Sequence, residues 1–188
     1  MKPIQAVRAL LSLGAGIYIT FTQAHGATTG LTALAFFGIG LAVFEGAIAF
    51  SFMKRKTVIE HVVLSITALL VGGFAAQNLI ENNTSHDQAA QVFNLLAICW
   101  GFASGALELY FARQQGISKS DRRDRTITAV LTLALAVLLA AWPLDIVSAV
   151  GFFSAYLMIT GVHLAIAATT PSSKGADSKK SAGKKSKS

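Results

Sequence analysis

The sequence predicts an all-α integral membrane protein: six transmembrane helices built as three repeated helical hairpins, with both termini cytoplasmic. Three observations carry this expectation. The 188 residues are 53% hydrophobic and only 13% charged, where a soluble domain carries nearer a quarter charged residues. The charges are gathered into short stretches separated by apolar runs of about 20 residues, the length that crosses a bilayer. And a glycine-centred apolar helix recurs three times, as FFGIGLAVFEGAIAF (36–50), LAICWGFASGALELY (96–110) and FFSAYLMITGVHLAI (152–166). Setting Gly46, Gly105 and Gly161 in register places a polar residue before each: Glu45, Ser104 and Thr160. The copies lie 59 and 56 residues apart, room for one returning helix, so the repeating unit reads as a hairpin.

The first span is read over about 4–22. It opens after Lys2 and contains Arg8, and its apolar run ends before Ala24-His25-Gly26. Those features also resemble a signal peptide, but removing the segment would leave the first hairpin with one helix. The second span, about 30–52, carries Glu45 and Gly46 and is followed by Lys54-Arg55-Lys56. The third, about 58–78, begins with Glu60 and His61, expected at the interface with Lys56 and Glu60 paired one helical turn apart. The ENNTSHDQ turn contains overlapping glycosylation sequons at Asn82 and Asn83 and reads as a solvated connection. The fourth span, about 89–112, holds Cys99, Gly101, Gly105 and Glu108. A single cysteine excludes an internal disulfide and a cysteine metal cluster, and reads as a small packing residue. A basic segment precedes the fifth span, about 126–142, which ends at the Trp142-Pro143-Leu144-Asp145 corner. The sixth, about 146–169, carries Gly161 and His163. The predicted domain thus covers 1–170, with hairpins at about 4–52, 58–112 and 126–169. The Lys/Ser-rich stretch 171–188 has too little apolar surface to order and is expected to be a disordered cytoplasmic tail.

All 16 Lys and Arg residues fall at the N-terminus, in the second and fourth connections, or in the tail. The other three connections contain none. A Lys/Arg excess marks the cytoplasmic side, so both termini are expected inside a cell membrane. The tail lysines would draw it to anionic lipid headgroups by about 1 kcal/mol each near the surface. The tail lacks aromatics for base stacking, which argues against nucleic acid as a partner.

Lipid is as apolar as leucine, so helices in a bilayer associate through close approach at small residues. Gly46, Gly101, Gly105 and Gly161 are the candidate packing positions, and they suggest an inner layer of the even-numbered helices. Glu45, Glu108 and His163 are the candidate titratable groups, all on even helices toward the basic end. Glu45 is about 13 Å along its helix from Lys54 and Glu108 about 7 Å from Arg113. A charge at that depth costs on the order of 2–3 kcal/mol on insertion scales, so it should face the protein interior or a wet cavity. Glu108 could instead pair with Arg113, and His163 could bond a neighbouring helix as a neutral ring. Their register does not converge as metal ligands must. No phosphate loop, zinc helix or serine elbow is present, so neither an enzyme, a metal site nor a cofactor is expected.

Three hairpins with glycine-centred second helices, the Ala141-Trp142-Pro143-Leu144-Asp145 corner and the stretch WPLDIVSAVGFFSAYLMITGVHLAIAA resemble the HdeD-like acid-resistance membrane proteins of bacteria, a short-repeat family of unknown function. The resemblance covers about residues 9–169. It implies an inner-membrane protein of acid or general stress tolerance, with no catalytic residues to carry over. Three functions follow: a stress-tolerance protein sensing or buffering protons through buried Glu and His, a small multi-pass transporter or channel, or a packing scaffold in the membrane, monomeric or as a homo-oligomer. A transporter needs a polar path through the bilayer, and the outer half of the even helices supplies only Asn94, Ser148 and Ser154.

Overall fold

A computed structural model describes residues 2–52, 55–81, 85–114 and 118–170. The tail 171–188, the sequon residues 82–84 and Lys54 lie outside the described residues, as does the Lys56 side chain invoked for the Glu60 pair. Six helices are formed: α1 (Lys2–Phe21), α2 (Ala27–Phe52), α3 (Arg55–Ile80), α4 (His86–Ala112), α5 (Lys119–Ala141) and α6 (Ile146–Thr169). All six are long and apolar enough to cross a membrane, and the described residues contain no strand. Phe21, Phe36, Phe74, Leu95 and Ile166 are more than half exposed on the outside of the bundle. An apolar exterior of that kind fits a multi-pass membrane protein.

Local chemistry sets the helix ends. Ser85 accepts the Gln88 N–H, and the Gln88 side chain returns to the Ser85 N–H, a reciprocal box that starts α4. Ser118 accepts the Asp121 N–H and starts α5 at Lys119, earlier than the expected 126. The apolar run marks only the part of α5 that is membrane-compatible, whereas the cap lets the helix run on through Asp121-Arg122-Arg123 outside it. Pro143 disfavours helical backbone at Trp142, which is extended at φ −117°, ψ 128° and ends α5. Asp145 then caps α6, accepting from the Ser148 N–H at 3.0 Å and hydroxyl at 2.7 Å.

The even helices form the inner layer. Each of α2, α4 and α6 contacts the other two, while no odd helix approaches another odd helix backbone to backbone among the described residues. The most extensive seams are α2 on α3, α4 on α5, and α6 on α1. Chain neighbours α1–α2, α3–α4 and α5–α6 also touch, but less extensively. The tightest packing therefore joins successive expected hairpins, and α6 returns to α1.

Small residues make these seams possible. A Cβ added at Gly38 would lie 2.7 Å from the Ala68 carbonyl oxygen and 2.8 Å from the Gly72 Cα, so α2 and α3 meet backbone to backbone. On α4, added Cβ atoms at Gly101 and Gly105 would lie 2.7 Å from Ala136 and Leu133 of α5, and one at Gly161 the same distance from Leu13 of α1. Gly46 differs from the other candidate packing glycines: its nearest such neighbour is Ser65 Oγ at 3.7 Å, an ordinary contact. Cys99 is exposed rather than packed. Between the even helices, Phe37 meets Trp100 edge-on at 5.4 Å and Phe93 meets Phe153 at 5.7 Å. Each such pair adds about 0.5–1.5 kcal/mol beyond area burial.

Two outcomes follow. Gly38→Ala forces a methyl against backbone and should cost about 1–3 kcal/mol, read as a lowered melting temperature in nanodiscs. Gly73→Ala, with open space around its Cβ, should be neutral or slightly stabilising. At the α6 cap, hydrogen bonds from the Ser148 side chain and backbone hold the Asp145 carboxyl below the usual aspartate range. Its folded-state pKa is depressed, so its contribution is complete above the unfolded aspartate pKa and is lost as pH falls through the folded value. Amide exchange at Ser148 and Ala149 should accelerate across that acidic window in wild type and be fast throughout in Asp145→Ala.

Candidate functional site

Charged side chains from five helices meet at the end of the bundle formed by the starts of α1, α3 and α5 and the ends of α2, α4 and α6. Glu45 of α2 is fully buried. Its Oε1 lies 2.5 Å from His61 Nδ1 of α3, and its Oε2 lies 4.0 Å from Arg8 Nε of α1. Arg8 Nη1 donates to Glu108 Oε1 of α4 in a short ion-paired hydrogen bond. Arg125 of α5 places Nη1 3.3 Å from Glu60 Oε2 and 3.9 Å from Glu108 Oε2. Its guanidinium carbon also sits 6.0 Å from the centre of the Phe111 ring, a cation–π distance.

The backbones of α1 and α4 do not touch, and neither do those of α3 and α5. The arginines bridge these gaps. Their reach and planar fork of donors suit them to hold carboxylates on different helices, where a lysine would offer one compact charge. Burying a charge costs several kcal/mol unless partners compensate. Here Arg8 and Arg125 face Glu45, Glu60 and Glu108. Three carboxylates thus face two guanidiniums, with the imidazole of His61 among them.

The structure brings two of the three predicted titratable residues together. Glu45 and Glu108 share Arg8. His163 does not join them: its Nε2 lies 3.3 Å from the Asp124 carbonyl oxygen of α5, a link between neighbouring helices. Two expectations are corrected. Glu108 pairs with Arg8 and Arg125, not Arg113, because a five-residue separation turns side chains roughly 140° apart at 3.6 residues per turn. Glu60 and His61 are buried members of the cluster rather than interfacial residues, since the start of α3 packs against the inner helices. Counting counter-charges would have pointed to Arg8, because buried carboxylates need cations and it lies inside an apolar span; Arg125 adjoins its span no more closely than Arg113 does. Nothing local marked His61.

A cavity of about 30 Å³ opens beside the cluster, lined by the polar Arg8, His61, Glu108, Asp124, Arg125 and Thr128 and by the apolar Ile4 and Leu164 among others. At roughly 10–15 Å³ per water centre it has room for about two waters. His61 Nε2 and Glu45 Oε2 are buried without a hydrogen-bond partner. From the cavity a line of hydroxyls follows α5: Thr128 donates to the Asp124 carbonyl, Thr132 to the Thr128 carbonyl, and Thr132 also meets Tyr156 OH at 3.1 Å. Beyond it lies the aromatic layer: Trp100 is eight residues before Glu108, about 12 Å deeper along α4. Ser154 is occupied in packing, donating to the Gly16 carbonyl and lying 3.2 Å from Thr20 Oγ1. Among the described residues, no three His, Cys, Asp or Glu side chains are grouped to hold a metal.

No protein-family profile, curated protein or solved structure matches the chain.

Arg8→Met should strand Glu45 and Glu108 and cost about 3–5 kcal/mol, the range for a broken buried ion pair. Adding Glu108→Gln should recover part of that loss. A double-mutant cycle by thermal unfolding in nanodiscs checks this, and an additive cycle would mean that the two side chains do not interact.

Proposed function

We propose that this chain is a non-catalytic bacterial inner-membrane protein of HdeD-like acid or stress tolerance, which takes up protons at a buried ionic cluster on its cytoplasmic side. The observation that carries the reading is Glu45, fully buried and 2.5 Å from His61. Histidine is the side chain most often used to exchange protons, and this one touches a carboxylate in a group where three glutamates face two arginines. The basic residues flank the same end as the cluster, so the positive-inside rule places both termini and the cavity toward the cytoplasm. Acidification of the cell interior then reaches the cluster directly, and the repeated hairpins act as its frame.

The transporter reading has less support. Phe37, Trp100, Phe93 and Phe153 fill the space between the inner helices, and a conducting path would have to part them. The scaffold reading draws on the glycine seams and needs no titration at all. A strain lacking the gene separates the two when complemented at matched membrane levels. Wild type should restore acid survival. Glu45→Gln should not, and His163→Ala should, because His163 stands apart from the cluster. If Glu45→Gln protects as well as wild type while Gly105→Leu does not, the protein is a scaffold. If wild type itself gives no protection, the acid-tolerance reading falls.

A further inference from the structure

The geometry points to His61 as a proton relay between the cavity and Glu45. This inference rests on the proton-uptake reading above and specifies its route. His61 lines the cavity. Its Nδ1 lies 2.5 Å from Glu45 Oε1, so with Glu45 ionised the hydrogen between them belongs to Nδ1. That leaves Nε2 as the free end of the ring, buried and without a hydrogen-bond partner. Glu45 has no exposure of its own, so a proton reaching it must cross a side chain.

The groups around His61 favour this route. Glu45 faces it from α2 and Glu108 lines the same cavity from α4; Glu60 precedes it on α3. Arg8 from α1 and Asp124 and Arg125 from α5 complete the charged lining, while α6 contributes Leu164. Two waters fit among these groups, with acceptors and donors enough to hold them. The step balances as follows. A hydronium in the cavity gives its proton to Nε2 and becomes water. The hydrogen on Nδ1 passes to Glu45 Oε1. The products are a neutral Glu45 carboxylic acid and a neutral imidazole carrying its hydrogen on Nε2. The cluster gains one positive charge. Release runs the same path in reverse.

The test uses the full-length protein in lipid nanodiscs, acidified rapidly while the infrared band of protonated carboxyl groups is followed. Wild type should gain a band that Glu45→Gln lacks. His61→Gln keeps an amide to donate to Glu45 but cannot pass a proton. It should reach the same final amplitude at least tenfold more slowly. In His61→Ala, added imidazole should restore the rate. If His61→Gln takes up the proton at the wild-type rate, the relay is wrong although proton uptake stands. If wild type shows no band, or Glu45→Gln retains it, uptake at Glu45 and the relay fail together. Nitrogen-15 histidine spectra of wild type give a check free of any variant: at neutral pH His61 should carry its hydrogen on Nδ1, and the opposite tautomer would overturn the proposal.

Discussion

A guanidinium within a bundle of apolar helices has little water to turn to, so its partners must come from the protein. Arg8 meets that constraint with Glu108 and Glu45, and much of the arrangement at this end of the molecule follows from it. The ion pair ties α1 to two inner helices at once. Glu45 then engages His61, and Glu108 shares its second oxygen with Arg125, which reaches back to Glu60 on α3. Each added charge is tolerated because the previous one needed a partner. A network of this kind adds less to net stability than its Coulomb energies suggest, since desolvation offsets much of the gain. Its stronger effect is on register: sliding one helix past another would leave a carboxylate or a guanidinium alone.

Glycine seams and charges divide the work of specification. Close approach at Gly38 and Gly72, Gly101 and Ala136, and Gly161 and Leu13 sets how near the helices come. Such contacts are non-polar and repeat along a helix, so they define register weakly. The ionic cluster defines it strongly but only at one end. At the centre, the edge-on aromatic pairs fill the space that three converging inner helices would otherwise leave open. The outcome is a bundle with its buried charges gathered at one end and its aromatic pairs packed in the middle.

The HdeD-like reading and the chemistry of the cluster meet at Glu45 but stand on different ground. One comes from a pattern of glycines and a proline corner; the other comes from a carboxylate fully enclosed beside an imidazole. The second does not depend on the first. A proton-responsive cluster could serve a membrane protein of another family equally well, and the Glu45–His61 pair would retain its meaning.

Hydropathy and the clustering of charges determined the number of helices and their approximate bounds. The corner at Pro143 is equally local and was legible; the caps at Ser85 and Ser118 are local too, but a reading by hydropathy passes over them, so α5 starts at Lys119 rather than 126. The gathering of all Lys and Arg at the two ends of the chain and at alternate connections also belongs to the sequence, as does the marking of Glu45 and Glu108 as groups that need partners. Which partners they found was decided by the tertiary structure. Arg8 and Glu108 are 100 residues apart, and their helices do not touch through backbone. They meet only because α6 packs back on α1 and closes the ring around the inner helices. His163 was set apart for the same reason: half a turn of helix separates a side chain facing the cluster from one facing a neighbour, and packing alone selects between them.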